Sequence, residues 1–125
     1  MEFRALSQAT GDPRYEEAAA KVSRHVHNLH KPDGLVPIWI DPTSGEFGGS
    51  TITLGARGDS YYEYLLKQWL QGGRREAALR QDYEEAITGV SRHHRINIGQ
   101  NLSSNYLEWL RIISKVWNLS RPESS

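Results

Sequence analysis

The chain has 125 residues, room for one small domain, and its 15 basic side chains balance 15 acidic ones, so no net field recruits nucleic acid or an anionic membrane. It has no cysteine, which excludes disulfides and thiolate metal sites. No run approaches a membrane span and Met1 to Ser7 lacks the apolar core of a signal peptide, so taken literally the chain is soluble and cytosolic.

Residues 2–9 read as the end of a helix broken at Thr10-Gly11. Asp12-Pro13 restarts one, with Asp12 as N-cap and Pro13 at the first helical position. Tyr15, Ala18, Ala19, Val22, Val26 and Leu29 then repeat at helical spacing, and Lys31-Pro32-Asp33-Gly34 ends the stripe. Leu35 to Ile40 and Ser50 to Leu54 are short β-prone runs joined by a turn-rich link, which predicts a small hairpin. A helix from Asp59 ends near Gln71 at the left-handed stop Gly72-Gly73. Another begins near Arg74 and fades near His93. After the polar break at residues 97–105, Tyr106 to Leu119 forms a short amphipathic segment, and Trp109, Ile113, Val116 and Trp117 in it fit a packing stripe.

The chemistry concentrates at the start of the third long helix. Arg57 and Asp59 stand where a loop becomes an aromatic-rich helix, and Glu63 follows Asp59 by one turn on the same side. A cation beside a carboxylate at a positive helix end suits an ionised acid in a sugar-binding pocket. The same residues also fit ordinary helix-start chemistry: Ser60-Tyr61-Tyr62-Glu63 matches a capping box with Asp59 just before it, and both readings can hold for Glu63. Four Trp and six Tyr against two Phe serve cores and carbohydrate platforms equally well.

Residues 2 to about 90 resemble the class I α-1,2-mannosidases, glycoside hydrolase family 47, and most of all the endoplasmic-reticulum type. The resemblance rests on Glu2-Phe3-Arg4 with Leu6-Ser7, Gly11-Asp12, Asp33-Gly34-Leu35-Val36-Pro37, Ser44-Gly45, and the long ordered stretch Leu54 to Lys67. It implies a mainly α fold, a piece of an α/α toroid of seven helical hairpins carrying one small β-hairpin. It divides the chain into a partial catalytic domain at 1–90 and a divergent tail at 91–125. The implied activity is inverting, calcium-dependent hydrolysis of α-1,2-linked mannose on N-linked high-mannose glycans. For a full-length member it implies the endoplasmic reticulum or Golgi membrane, although this chain shows no signal or anchor.

By the same resemblance Asp59 is a catalytic carboxylate, while Arg57 and Glu63 are substrate-binding residues. The calcium-ligating Thr of the family has no counterpart here. Inverting enzymes hold two carboxyl groups roughly 6.5–9.5 Å apart to seat a water. Asp59 and Glu63 would stand about 6 Å apart at Cβ, near the lower edge, so the pair is not assigned as the acid and the base. Asp59 is instead assigned to the ionised set that positions or activates water, with Arg57 holding it charged by direct pairing. The chain alone is expected to be inactive, and the alternative is a non-catalytic truncated or splice product that acts as a binding module or has no function.

Three further patterns are set aside. The five His do not reach zinc-ligand spacing, although His27 and His30 stand close enough to converge, and solvated or half-buried rings account for them better. Arg57-Gly58-Asp59 spells the cell-adhesion tripeptide at a helix start rather than a loop tip. Asn101-Leu102-Ser103 and Asn118-Leu119-Ser120 are glycosylation sequons that matter only in a secretory lumen.

Overall fold

The structure is a computed structural model and describes residues 1–53 and 57–96. It is mainly helical. Helices α1 (Glu2–Thr10) and α2 (Arg14–Asn28) pack on each other, and a single 3-10 turn follows at Pro32–Gly34. Strands β1 (Pro37–Ile40) and β2 (Phe47–Ile52) form an antiparallel two-stranded sheet, and helices α3 (Asp59–Gln71) and α4 (Ala77–Ile96) complete the order. The predicted segment at 106–119, the two sequons and the expected strand end at Leu54 lie outside the described residues.

Three boundaries differ from expectation, each for a local reason. The first strand starts at Pro37 rather than Leu35 because the Val36 N–H donates to the Tyr62 hydroxyl at 3.0 Å, which ties Leu35 and Val36 into the core. The second strand starts at Phe47 because the turn closes early, with Gly45 N–H on the Asp41 carbonyl at 2.8 Å and Asp41 N–H on the Glu46 carbonyl at 2.9 Å. The last helix starts at Ala77 rather than Arg74, since Arg74 takes a left-handed φ of 64° and donates back to the Trp69 carbonyl at 2.8 Å. Arg74 thus closes the end of α3 together with Gly73, whose φ is 71°. At α2, Asp12 sits one residue before the N-cap position, yet its Oδ1 still accepts the Arg14 N–H at 3.0 Å.

The core runs along the α3–α4 contact in two clusters. Leu65, Leu66, Trp69, Leu79 and Tyr83 form one; Leu35, Val36, Tyr62, Ala86 and Val90 form the other. Helix α2 has the predicted stripe but no buried residue, and Val22 is 65% exposed. It is held instead by polar contacts. His27 Nδ1 lies 2.9 Å from Asp82 Oδ1 of α4, and the Lys31 ammonium stands 3.6 Å from the same oxygen. Lys31 also donates to the carbonyls of Val26, His27 and Leu29, satisfying orphan acceptors at the end of α2. Arg4, only 1% exposed, pins α1 to the start of α4 through both oxygens of Glu76. The Ser7 hydroxyl accepts the Glu16 N–H at 2.8 Å and so serves the first turn of α2.

The buried Tyr62 hydroxyl is the acceptor that holds the chain on its way into β1, and burial pushes its phenol pKa up. Tyr62→Phe keeps the ring but leaves the Val36 N–H buried without its partner, which costs about 1–3 kcal/mol. The expected readout is a lower denaturation midpoint with an unchanged helical circular dichroism spectrum.

Candidate active site

The loop entering α3 carries the motif, and its backbone decides where the side chains go. Gly58 is the N-cap and Asp59 the first helical residue, so the Asp59 carboxylate stands at the positive end of the helix. Its Oδ1 accepts the Ser60 N–H at 2.9 Å, and the residue is exposed. The capping box is absent: Ser60 is the second helical residue, no side chain caps the helix, and the Glu63 carboxylate pairs with Lys67 one turn further along. That bond raises the Lys67 pKa.

Arg57 does not pair with Asp59. Its backbone takes a left-handed φ of 76°, which is strained for a side chain with a Cβ, and its guanidinium lies over Trp39 of β1, 5.4 Å from the ring centroid. The structure thus brings Arg57, two residues before Asp59, to the exposed Trp39 and turns Glu63 to Lys67. Trp39 is the residue the sequence reading missed. Its signal was an indole in a β-prone run beside a turn-rich link, and chain position alone does not reveal that the hairpin carries it to Arg57.

Beyond Asp59 the first turn of α3 is anchored in the core. Tyr62 is buried against Val36 and packs edge-on with Tyr61 at 5.2 Å between ring centres. Burial and the nearby Asp82 charge push the Tyr61 phenol far up in pKa, so it stays protonated. Asp82, a buried acid on the apolar face of α4 between Leu79 and Ala86, was also missed; a carboxylate inside a helical stripe was the available signal. The histidines disperse. His25 meets the Gly45 carbonyl, His27 meets Asp82, and His93 meets Asp33. Among the described residues no three His, Asp or Glu side chains gather as metal ligands. A cleft of about 420 Å³ between the 3-10 turn and α4 is lined by Asp33, Glu84, Glu85 and Arg92, away from Asp59.

With this geometry in place, comparison with known proteins is decisive. The model of glycosyl hydrolase family 47 matches residues 1–123. The chain belongs to glycosyl hydrolase family 47. It is 57% identical over 95 residues to the endoplasmic reticulum mannosyl-oligosaccharide 1,2-alpha-mannosidase of Homo sapiens, covering 74% of this chain and 14% of that protein. The mouse (Mus musculus) protein of the same name is 53% identical over 95 residues, with the same coverage of both chains. The mannosyl-oligosaccharide 1,2-alpha-mannosidase MNS3 of Arabidopsis thaliana is 50% identical over 94 residues, covering 72% of this chain and 15% of the relative. This family 47 chain therefore spans about one seventh of the length of the relatives it matches. The family match also runs past residue 90, and α4 continues unbroken through that point to Ile96.

Proposed function

We propose that this chain is part of the catalytic domain of a mannosyl-oligosaccharide α-1,2-mannosidase that hydrolyses N-linked high-mannose glycans with inversion, in the endoplasmic reticulum or Golgi. The observation that carries the reading is an exposed Asp59 carboxylate at the positive end of α3, in a chain 57% identical over 95 residues to the human mannosidase. Asp59 is the ionised carboxylate that orients or activates water. Its Oδ1 accepts the Ser60 N–H at the start of α3, while Arg57 lies over Trp39 in place of the direct pairing first expected. Arg57 offers a fork of donors to sugar hydroxyls. Glu63 is a substrate-side carboxylate one turn behind, with Lys67 fixing its rotamer.

An α/α toroid accounts for two features: consecutive helices pack as pairs, α1 with α2 and α3 with α4, and α2 carries apolar side chains on an unburied face. Residues 1–90 are its catalytic part, and 91–125 are a tail that diverges while still falling within the family match, which runs to residue 123. The family implies calcium, which when bound would engage sugar hydroxyls. The described residues do not assemble a ligand set for it, so no step is assigned through the ion here.

The test is a chimera. In the human relative, the aligned 95-residue stretch is replaced by that of this chain, and release of mannose from α-1,2-mannobiose is measured. Activity within about tenfold of the parent supports the reading, because a matching first shell costs little transition-state stabilisation. A folded but inactive chimera overturns it in favour of the non-catalytic product. The 125-residue chain alone is expected to release no mannose, since Asp59 lies exposed rather than in the dry pocket that makes such charges effective.

A further inference from the structure

The hairpin holds Trp39 in an arrangement that strand packing does not explain. The indole is 58% exposed on β1. Its cross-strand partner is Gly48, so β2 offers no side chain directly opposite the ring. Glycines weaken a strand, and they recur where a ligand or another backbone comes close. The cation that meets the ring belongs to Arg57, two residues before Asp59 and held in a strained left-handed backbone. Thus the ring is more than half exposed and carries the guanidinium that precedes the candidate acid by two residues.

We propose that Trp39 is a stacking platform for the oligosaccharide, a substrate-contacting specificity residue next to Arg57 and Asp59. A pyranose presents one face of C–H bonds to an aromatic plane while its edge hydroxyls take hydrogen bonds. The indole supplies that plane, and the neighbouring guanidinium supplies donors for the edge. The mannose unit seated on Trp39 adjoins the one at Asp59, so the platform recognises the chain that carries the terminal residue. The inference rests on the mannosidase reading and adds to it a residue outside the motif.

The experiment uses the full 125-residue chain with ¹⁵N-labelled indoles and amides. It is titrated with α-1,2-mannobiose and with a high-mannose oligosaccharide, and cellobiose serves as the control. Trp39→Phe identifies the Trp39 indole signal. That signal should shift saturably with both mannosides and not with cellobiose. Trp39→Ala should raise the dissociation constant about tenfold, and Trp39→Phe should recover most of the loss. The ring is exposed, so both variants should keep the wild-type circular dichroism spectrum. Shifts at Arg57 and Asp59 with Trp39 silent, or unchanged binding in Trp39→Ala, would overturn the platform and leave the mannosidase reading standing. An equal response to cellobiose would overturn it as well. No shift anywhere would overturn the platform, and the mannosidase reading then stands or falls with the chimera.

Discussion

In the chimeric mannosidase, Asp59→Asn should lower turnover about a thousandfold, the range in which a positioned general base acts. The substitution is close to isosteric, and the amide oxygen can still accept the Ser60 N–H. Asn is also tolerated at a helix start, so the local backbone has no reason to move. What disappears is the negative charge that water activation at a sugar carbon requires. The effect should fall on kcat, with a smaller change in KM, because the charge matters most where positive character develops at the reacting carbon. Measured turnover within a few-fold of the parent would reduce Asp59 to a helix-start residue.

The largest stability effect is expected from Gly89→Ala. Helix α4 passes so close to the 3-10 turn that a Cβ on Gly89 would lie 1.9 Å from the Asp33 carbonyl oxygen. The obstacle is backbone, which cannot rotate away. It is fixed from the other side too: Asp33 and Gly34 both take left-handed φ, 53° and 71°. A Cβ on Gly34 would in turn meet the Glu85 backbone at 2.5 Å. Separating the two elements strips Leu35 and Val36 from Ala86 and Val90. We expect a loss of roughly 3 kcal/mol, at the upper end of overpacking costs. In a small domain that lowers the thermal midpoint by roughly 10 °C or more. Loss of amide protection should concentrate at the 3-10 turn and the second half of α4. An unchanged midpoint would show that the two elements do not pack this closely in solution.

Much of the architecture was legible because it is local. The break at Thr10-Gly11 follows from Gly11 reaching a φ of 73°, and the end of α3 follows from Gly73 at 71°. The end of α3 at Gln71 fell where expected, whereas the packing of its Leu65, Leu66 and Trp69 against Leu79 and Tyr83 of α4 came only from the fold. The hairpin existed as expected, but its edges moved because a distant hydroxyl, that of Tyr62, took the hydrogen bond of Val36. The α2 stripe was read correctly as helical periodicity, yet its apolar face is not buried among the described residues, since periodicity states which side is apolar and not what meets it.

The candidate site divides along the same line. Residue identity and spacing alone put Asp59 at a helix start and Glu63 one turn behind, because both statements concern a few adjacent residues and the positive end of one helix. The long motif in which they lie was also enough to indicate the family. Only the tertiary structure decided their partners. Arg57 turned from Asp59 to Trp39, and Asp82 gathered His27 and Lys31 from an element far away in the chain, whereas the Glu63–Lys67 pair, one turn apart on α3, is local. The physical reason is that charged side chains reach several ångströms and choose among all neighbours in space. Which neighbours exist depends on how hairpin and helices are stacked, information that no single segment carries.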